Sequence, residues 1–353
     1  MLSPKTLTWI TSACIMLAQP AGSQTIVYSG RTYLKAGRSW AQIWQVDAQT
    51  GQRRQLTITR RDHQSPWCAS GGRSILFTAG NRRVLYRFDR KTRRETLLAV
   101  LDRPLLQVIG TISRSQIMLQ EDDGSIEIVD IDLNHKVRTM QGYAAVLAPN
   151  RRLVAWTTSG AFPRGAPSHV MISDVNGSTP LDLGEGSAPA FTPDSLTLRF
   201  VRGKTMAAFS RTHDTNGPLY EVQYDIASQR QTTTASEASE IVEPYKLTIS
   251  PDGVTTILSA CCGGYGSPVY WRKTLDGGWS FVDGNLSDWG GWSQSGLLIY
   301  ATDGHDLRPL DSRRSVWIGD IKLYDSRTSR VRTVVSGVSM NQEPRWCSDN
   351  SLQ

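Results

Sequence analysis

The sequence contains seven copies of one four-strand unit, and one copy is divided between the two ends of the chain. Residues 344–350 carry the opening phrase of a unit, and residues 25–30 carry its continuation. A repeat period of roughly 40–50 residues is typical of solenoids and propellers. The division of one unit between the termini predicts a propeller, because only a closed ring brings the first and last segments into one sheet.

The repeated unit has the local signals of four short strands. Each copy opens with an apolar residue and a tight turn, and the seven openings begin at Trp67, Ile112, Leu147, Phe191, Ile249, Trp292 and Trp346. Proline, aspartate, asparagine and glycine in these phrases favour hairpin turns. A short apolar run follows, and then a segment that alternates with period two, as in residues 42–47 and 321–325. No helical periodicity of useful length follows the first twenty or so residues, so the sequence predicts an all-β chain.

Two stretches of the sequence resemble a known repeat family. The phrase Ile-Ser-Pro-Asp-Gly at residues 249–253 and the closing half-unit at residues 42–57 resemble the TolB-type, WD-like propeller repeat. The resemblance covers nearly all of residues 25–353. It implies a seven-bladed β-propeller of four-stranded antiparallel blades, closed by pairing of the N- and C-terminal segments, without the α/β domain that TolB carries. It does not imply one function, because propellers carry many unrelated activities.

Residues 1–23 have the pattern of a secretory signal peptide. Lys5 precedes an apolar stretch at residues 7–18, and the small residues 21–23 fit a cleavage site. Residues 24–353 are then expected to form the mature propeller, in the periplasm or secreted. A lipoprotein anchored through Cys14 is the alternative. The apolar run is shorter than the ~20 residues of a membrane-spanning helix, so we expect no membrane span.

The chain is basic, with a formal net charge of +7. For an exported propeller, this charge favours a protein or an anionic cell-envelope polymer as the partner, and we expect no nucleic-acid partner. The alternative is that the arginines lie on solvent-exposed strand edges without binding a partner, and there they discourage edge-to-edge pairing between molecules. We expect a monomer.

Four cysteines follow the predicted leader. Cys68 and Cys347 occupy equivalent positions in neighbouring units, and we expect them to lie beyond ~7 Å, too far apart for a disulfide. The adjacent Cys261 and Cys262 are either a vicinal disulfide or two thiols beside a glycine-rich loop. No cysteine or histidine spacing of a metal site and no cofactor fingerprint occurs, so we expect no metal and no cofactor.

The connections between the second and third strands differ in length. They are brief in the second and third blades and long in the other five, at residues 31–41, 159–168, 203–218, 261–268 and 303–319. These five blades are consecutive in a closed ring, so their loops are expected to form one arc on one face. Arginine and aromatic side chains, which anchor many interfaces, are frequent in this arc. The predicted binding residues are Arg31, Tyr33, Arg38, Trp40, Phe162, Arg164, Phe209, Arg211, Tyr265, Arg308, Arg313, Arg314 and Trp317. The alternative is that the loops fold over one another as a lid.

A catalytic site has only weak candidates in this sequence. They are His63, His213, Asp303, His305 and Asp306, all on blade crossings or in the long loops. Such groups can build an acid–base or metal site, but five histidines spread over separate loops disfavour a three-histidine centre. The sequence therefore predicts a non-catalytic binding or scaffold module, with an exported carbohydrate lyase or hydrolase as the alternative.

Overall fold

Repeated antiparallel strands build the whole of the described structure. The computed structural model describes residues 24–33, 39–69, 72–132, 135–159, 168–177, 179–203, 218–236, 241–261, 269–274, 278–284, 286–302, 306–309, 315–337 and 339–347. Within these ranges there are seven four-stranded sheets, one two-stranded hairpin and no helix. Accordingly, no helix in the described ranges has the length and apolarity needed to cross a bilayer. The predicted all-β, seven-bladed propeller is confirmed.

In chain order the strands are β1 (Thr25–Thr32), β2 (Ala41–Asp47), β3 (Arg53–Gln55), β4 (His63–Cys68), β5 (Ser74–Ala79), β6 (Val84–Asp89), β7 (Arg94–Val100), β8 (Leu105–Thr111), β9 (Gln116–Glu121), β10 (Ser125–Asp130), β11 (His135–Gln141), β12 (Tyr143–Leu147), β13 (Leu153–Thr157), β14 (His169–Asp174) and β15 (Leu181–Glu185). They continue with β16 (Ser187–Phe191), β17 (Thr197–Arg202), β18 (Leu219–Asp225), β19 (Arg230–Ser236), β20 (Val242–Ile249), β21 (Thr256–Cys261), β22 (Val269–Lys273), β23 (Ser280–Gly284), β24 (Leu286–Trp292), β25 (Leu297–Thr302), β26 (Asp306–Pro309), β27 (Ser315–Ile318), β28 (Ile321–Asp325), β29 (Arg330–Val335) and β30 (Ser339–Trp346).

The strands are arranged as blades numbered from the N-terminus. Blade 1 has the strand order β30-β1-β2-β3 from the axis outward, and blades 2 to 6 each use four consecutive strands from β4 to β23. Blade 7 consists of β24, β25, β28 and β29, and the hairpin β26–β27 is inserted between its second and third strands.

The two chain ends close the ring inside blade 1. β30 pairs antiparallel with β1, in a register that runs from Ile26 opposite Trp346 to Thr32 opposite Ser339. The backbone N–H of Cys347 extends this ladder by donating to the carbonyl of Thr25 at 2.7 Å. The first and last segments are therefore neighbours in one sheet, as the divided repeat predicts.

The hydrophobic core is divided among the blade boundaries. Between blades 7 and 1, Ile26 and Tyr28 pack with Ile299 and Leu323 around the fully buried Trp346. Equivalent apolar clusters occupy the other six boundaries. Each blade thus buries both of its faces against neighbours, and its burial depends on the ring being complete.

Specific polar and close contacts reinforce the boundary where the ring closes. The indole Nε1 of Trp346 donates to the carbonyl of Gly291 in blade 7 at 3.0 Å. Beside it, β24 approaches β30 so closely that a Cβ on Gly290 would collide with the carbonyl oxygen of Pro344. Glycine is required at this position because no side chain fits between the two backbones.

A disulfide joins blades 1 and 2. Cys68 ends β4 and Cys347 follows β30, and their Cα atoms are 5.2 Å apart and bridged. The prediction that these residues are too far apart was wrong. Inner strands of neighbouring blades converge toward the axis, which brings equivalent inner positions within bridging distance. Cys262 and the side chain of Cys261 lie outside the described residues.

Removal of residues 344–353 is expected to abolish soluble folding. The deletion takes away the last three residues of β30, including Trp346, together with the following Cys347, so blades 7 and 2 both lose packing partners. Soluble yield and thermal unfolding of the truncated chain measure the effect. Cooperative melting at the temperature of the full-length protein would contradict it.

Replacement of both bridging cysteines, as Cys68→Ala with Cys347→Ala, is expected to lower the free energy of unfolding. The bond links positions 279 residues apart, and loss of such a link typically costs about 2–5 kcal/mol. Urea unfolding of the oxidised protein and of the variant gives the difference. Wild-type protein in reductant is the control and should match the variant. Equal midpoints for the oxidised wild type and the variant would refute the stabilising role.

Candidate functional site

The two faces of the ring carry different connections. We define the loop face as the face with the second-to-third connections and the blade crossings, and the turn face as the opposite one. Connections are short after β5 and β9 and long after β1, β13, β17, β21 and β25. The predicted distribution of loop lengths over five consecutive blades is therefore confirmed, while the arc that these loops form stays a prediction.

The predicted site residues fall into three groups. Side chains are described for Arg31, Tyr33, Trp40 and His63. Asp306 and Arg308 belong to β26 and Trp317 to β27, where only the strands are described. Outside the described residues lie Arg38, Phe162, Arg164, Phe209, Arg211, Tyr265, Arg313, Arg314, His213, Asp303 and His305.

Arg31 is engaged in holding the long connection of blade 1. Its guanidinium Nη2 lies 2.7 Å from Oδ1 of Asp62, and its Nη1 donates to the carbonyl of Ser39 at 2.6 Å. The same carboxylate oxygen accepts the backbone N–H of Ala41 at 2.7 Å. Arg31 and Asp62 thus tie both ends of this connection to the crossing into blade 2.

His63 is a buried histidine between blades 1 and 2. It has no exposed surface, and its ring lies 4.6 Å from that of Phe77. The Nε of Arg61 donates to Nε2 at 3.2 Å, and the hydroxyl of Thr59 lies at the same distance. Burial, reinforced by the charge of Arg61, lowers the pKa of His63 to about 4. His63 is therefore neutral near pH 7, and a ligand on the loop face does not touch it.

A cavity of about 430 Å³ lies in the central channel. Its wall consists mainly of inner-strand residues from blades 1 to 6, among them Ser65, Ala144 and Ala188. These residues lie in the first halves of their strands, and inner strands start at the loop face. The lining also includes Glu343 and Arg345 in the second half of β30, so the cavity spans the middle of the channel. We call it the channel cavity.

β-Bulges shape the wall of the channel cavity. The inner strands slip in register against their neighbours at Ser65, Ala144, Ala188 and Glu343, and all four residues have positive φ. A bulge interrupts the ladder and re-aims backbone groups. The released N–H of Ser65 donates to Oε2 of Glu343 at 2.5 Å, across the boundary between blades 2 and 1.

Among the residues that the structure describes, three cations and one carboxylate line the channel cavity. Arg82 reaches inward from a short loop-face connection and pairs with Glu343 at 2.6 Å. Lys246 and Arg345 also line the cavity. Among the described lining residues, these three positive charges and one negative charge give a net charge of +2. A low-dielectric channel with one excess sign of charge concentrates ligands of the opposite sign, so this cavity favours an anionic group.

Sequence reasoning missed the channel residues, although one local signal marks them. Pro66, Pro189 and Pro344 each follow one of the positive-φ residues within a phrase that otherwise reads as a strand. Proline inside a strand is confined to edges and bulges. The prolines therefore indicate irregular inner strands, but the pairing of Arg82 with Glu343 has no local signal.

Comparison with known proteins supports the fold. No protein-family model and no curated protein matches this sequence. Among solved structures, a functionally unknown protein from Desulfotomaculum acetoxidans is 13% identical, with 91% of this chain and 99% of that chain covered and a TM-score of 0.55. An oligogalacturonate lyase from Vibrio parahaemolyticus is 10% identical, with 75% and 80% covered and a TM-score of 0.53.

TolB proteins are also among the structural neighbours. TolB from Acinetobacter baumannii is 13% identical, with 92% of this chain and 67% of that chain covered and a TM-score of 0.48. At such identities a likeness shows the fold alone. The neighbours thus include TolB proteins and other propellers.

Acidification is expected to destabilise the protein through His63. The pKa of this residue is about 4 in the folded state and about 6.5 for an unperturbed histidine, so the unfolded state takes up the proton first. Stability is therefore lost as the pH falls from about 6.5 toward 4, by up to about 3 kcal/mol. Urea unfolding at pH 7.5 and pH 4.5 measures the loss. His63→Gln should lose less on acidification than the wild type, and equal losses would contradict the assignment.

Proposed function

We propose that this chain is an exported, non-catalytic binding module of the periplasm or the cell exterior. Its loop face receives an extended, acidic segment of a protein or of an anionic cell-envelope polymer. The segment enters the channel cavity, and the long loops hold the parts that remain outside. The protein then acts as a rigid scaffold, because the ring presents the cavity and the loops in a fixed relation.

The net positive charge of the channel cavity carries this proposal. Its volume of about 430 Å³ falls within the ~300–1,000 Å³ range of ordinary ligand sites. A chain end or a short loop fits such a space, whereas a folded domain does not. The excess charge of +2 from Arg82, Lys246 and Arg345 against Glu343 selects an acidic segment.

The loop face supplies contact area around the mouth of the channel. Tyr33 and Trp40 are partly exposed in the connection of blade 1 that Arg31 and Asp62 hold in place. Aromatic side chains on a fixed backbone bury much apolar area with little loss of entropy. The other predicted loop residues extend this surface in the proposal.

Lys246→Glu is expected to weaken binding of an acidic peptide at the channel cavity by at least about tenfold. The change lowers the lining charge from +2 to zero, since two cations then face two carboxylates. Fluorescence anisotropy of a labelled octaglutamate peptide, with an octalysine peptide as the probe of opposite charge, measures the affinity.

The matched control for this variant is Arg330→Glu, which makes the same change of charge on the exposed outer strand of blade 7. It should leave the affinity nearly unchanged. Equal weakening by both substitutions would show that the net charge of the protein attracts the peptide. In that case the channel cavity is not the binding site.

A further inference from the structure

A second concave site lies on the turn face, between blades 1 and 2. It is a groove of about 800 Å³, and we call it the turn-face groove. Blade 1 contributes Arg54 and Gln45, and blade 2 contributes Arg73 with the turn that connects β6 to β7. The groove is on the opposite side of the ring from the long loops, so it does not belong to the proposed loop-face site.

The turn-face groove is strongly basic. Its charged lining residues within the described part of the chain are Arg54, Arg73, Arg90, Lys91, Arg93 and Asp89, which gives five cations, one carboxylate and a net charge of +4. Among the described residues, none of the exposed cations of the groove takes part in an ion pair. Other surface arginines do find carboxylates, such as Arg61 with Glu95 and Arg87 with Asp132.

Asp89, the one carboxylate among the described residues of the groove, is already used by the local turn. Oδ1 of Asp89 accepts the backbone N–H of Thr92 at 2.7 Å and the hydroxyl of Thr92 at 2.9 Å. These hydrogen bonds hold the pKa of Asp89 below its ordinary value. Asp89 therefore fixes the turn that carries Lys91 and Arg93, and it leaves the excess positive charge in place.

The floor of the turn-face groove is rigid. Leu56 and Phe88 pack in the apolar cluster that contains the Cys68–Cys347 disulfide. Above this floor, the guanidinium of Arg90 donates to the carbonyl of Gly72 at 2.8 Å and to Oε1 of Gln45 at 3.3 Å. Arg90 thus spans both walls, and its orientation is fixed before any ligand arrives. Such preorganisation lowers the entropic cost of binding.

We propose that the turn-face groove binds a ligand with two neighbouring phosphate groups. A phosphate monoester carries about −1.5 to −2 charges at neutral pH, so two of them match the +4 of the lining. Arginine guanidinium groups present paired donors that fit phosphate oxygens. A carboxylate carries only one negative charge, so four carboxylates would have to enter the groove to match the same lining charge.

The groove variant Arg73→Gln with Arg93→Gln is expected to bind pyrophosphate at least about tenfold more weakly than the wild type. Both arginines are exposed, so their replacement leaves the core intact. Residue 93 has a positive φ, and glutamine can adopt it, because Gln229 has the same positive φ in the equivalent turn of blade 5. The matched control is Arg230→Gln with Arg330→Gln, which removes two exposed arginines from outer strands.

Calorimetric titration compares pyrophosphate with citrate and orthophosphate. The expected result is tighter binding of pyrophosphate than of either competitor, a loss in the groove variant and no loss in the control variant. Absence of a preference for pyrophosphate, or equal losses in the two variants, would overturn the proposal.

A vesicle assay distinguishes the two sources of such phosphate groups. Sedimentation with phosphatidylcholine vesicles, with and without phosphatidic acid, is carried out in the presence and absence of pyrophosphate. Binding that requires phosphatidic acid and is displaced by pyrophosphate identifies a phosphorylated lipid surface. Pyrophosphate binding without vesicle binding identifies a free oligophosphate.

Discussion

The antiparallel pairing of β1 with β30 is the interaction on which the rest of the structure depends. It converts a linear series of blades into a ring, and the apolar clusters at all seven blade boundaries rely on that closure. The same strand places Trp346 in the core, Cys347 beside Cys68 and Glu343 in the channel. The closure of the ring, the disulfide and the candidate site therefore all depend on β30.

The fold was predictable because its signals are local and repeated. Turn phrases such as Ser250 to Gly253 recur at the same place in each unit, and strand alternation follows them, so each blade is readable by itself. The position of the long loops follows from strand order alone. By contrast, the Arg82–Glu343 pair joins residues 261 positions apart. Its existence depends on the curvature of the ring and on the bulge at Ser65, which no single unit specifies.

The disulfide is a second feature that the sequence of a single repeat unit does not specify. Cys68 and Cys347 are equivalent by repeat position, and that equivalence led to an overestimate of their separation. Distances between equivalent positions in a propeller depend on the radius, which is smallest at the inner strands. The burial of His63 was also not predictable from the sequence. Its neighbours Arg61 and Asp62 suggest an accessible polar site. In the structure, Phe77 and Thr59 enclose the imidazole ring.

β30 is synthesised after every other strand of the described structure, and this affects the order in which the protein can fold. During synthesis β1 is complete long before β30 is made, and its inner edge has no partner until β30 emerges. An unpaired strand edge is a template for wrong association. Cys68 likewise cannot form its disulfide until Cys347 has been synthesised. The nascent chain therefore keeps an open edge on β1 and an unbridged Cys68 until β30 docks, and the docking of that one strand removes both.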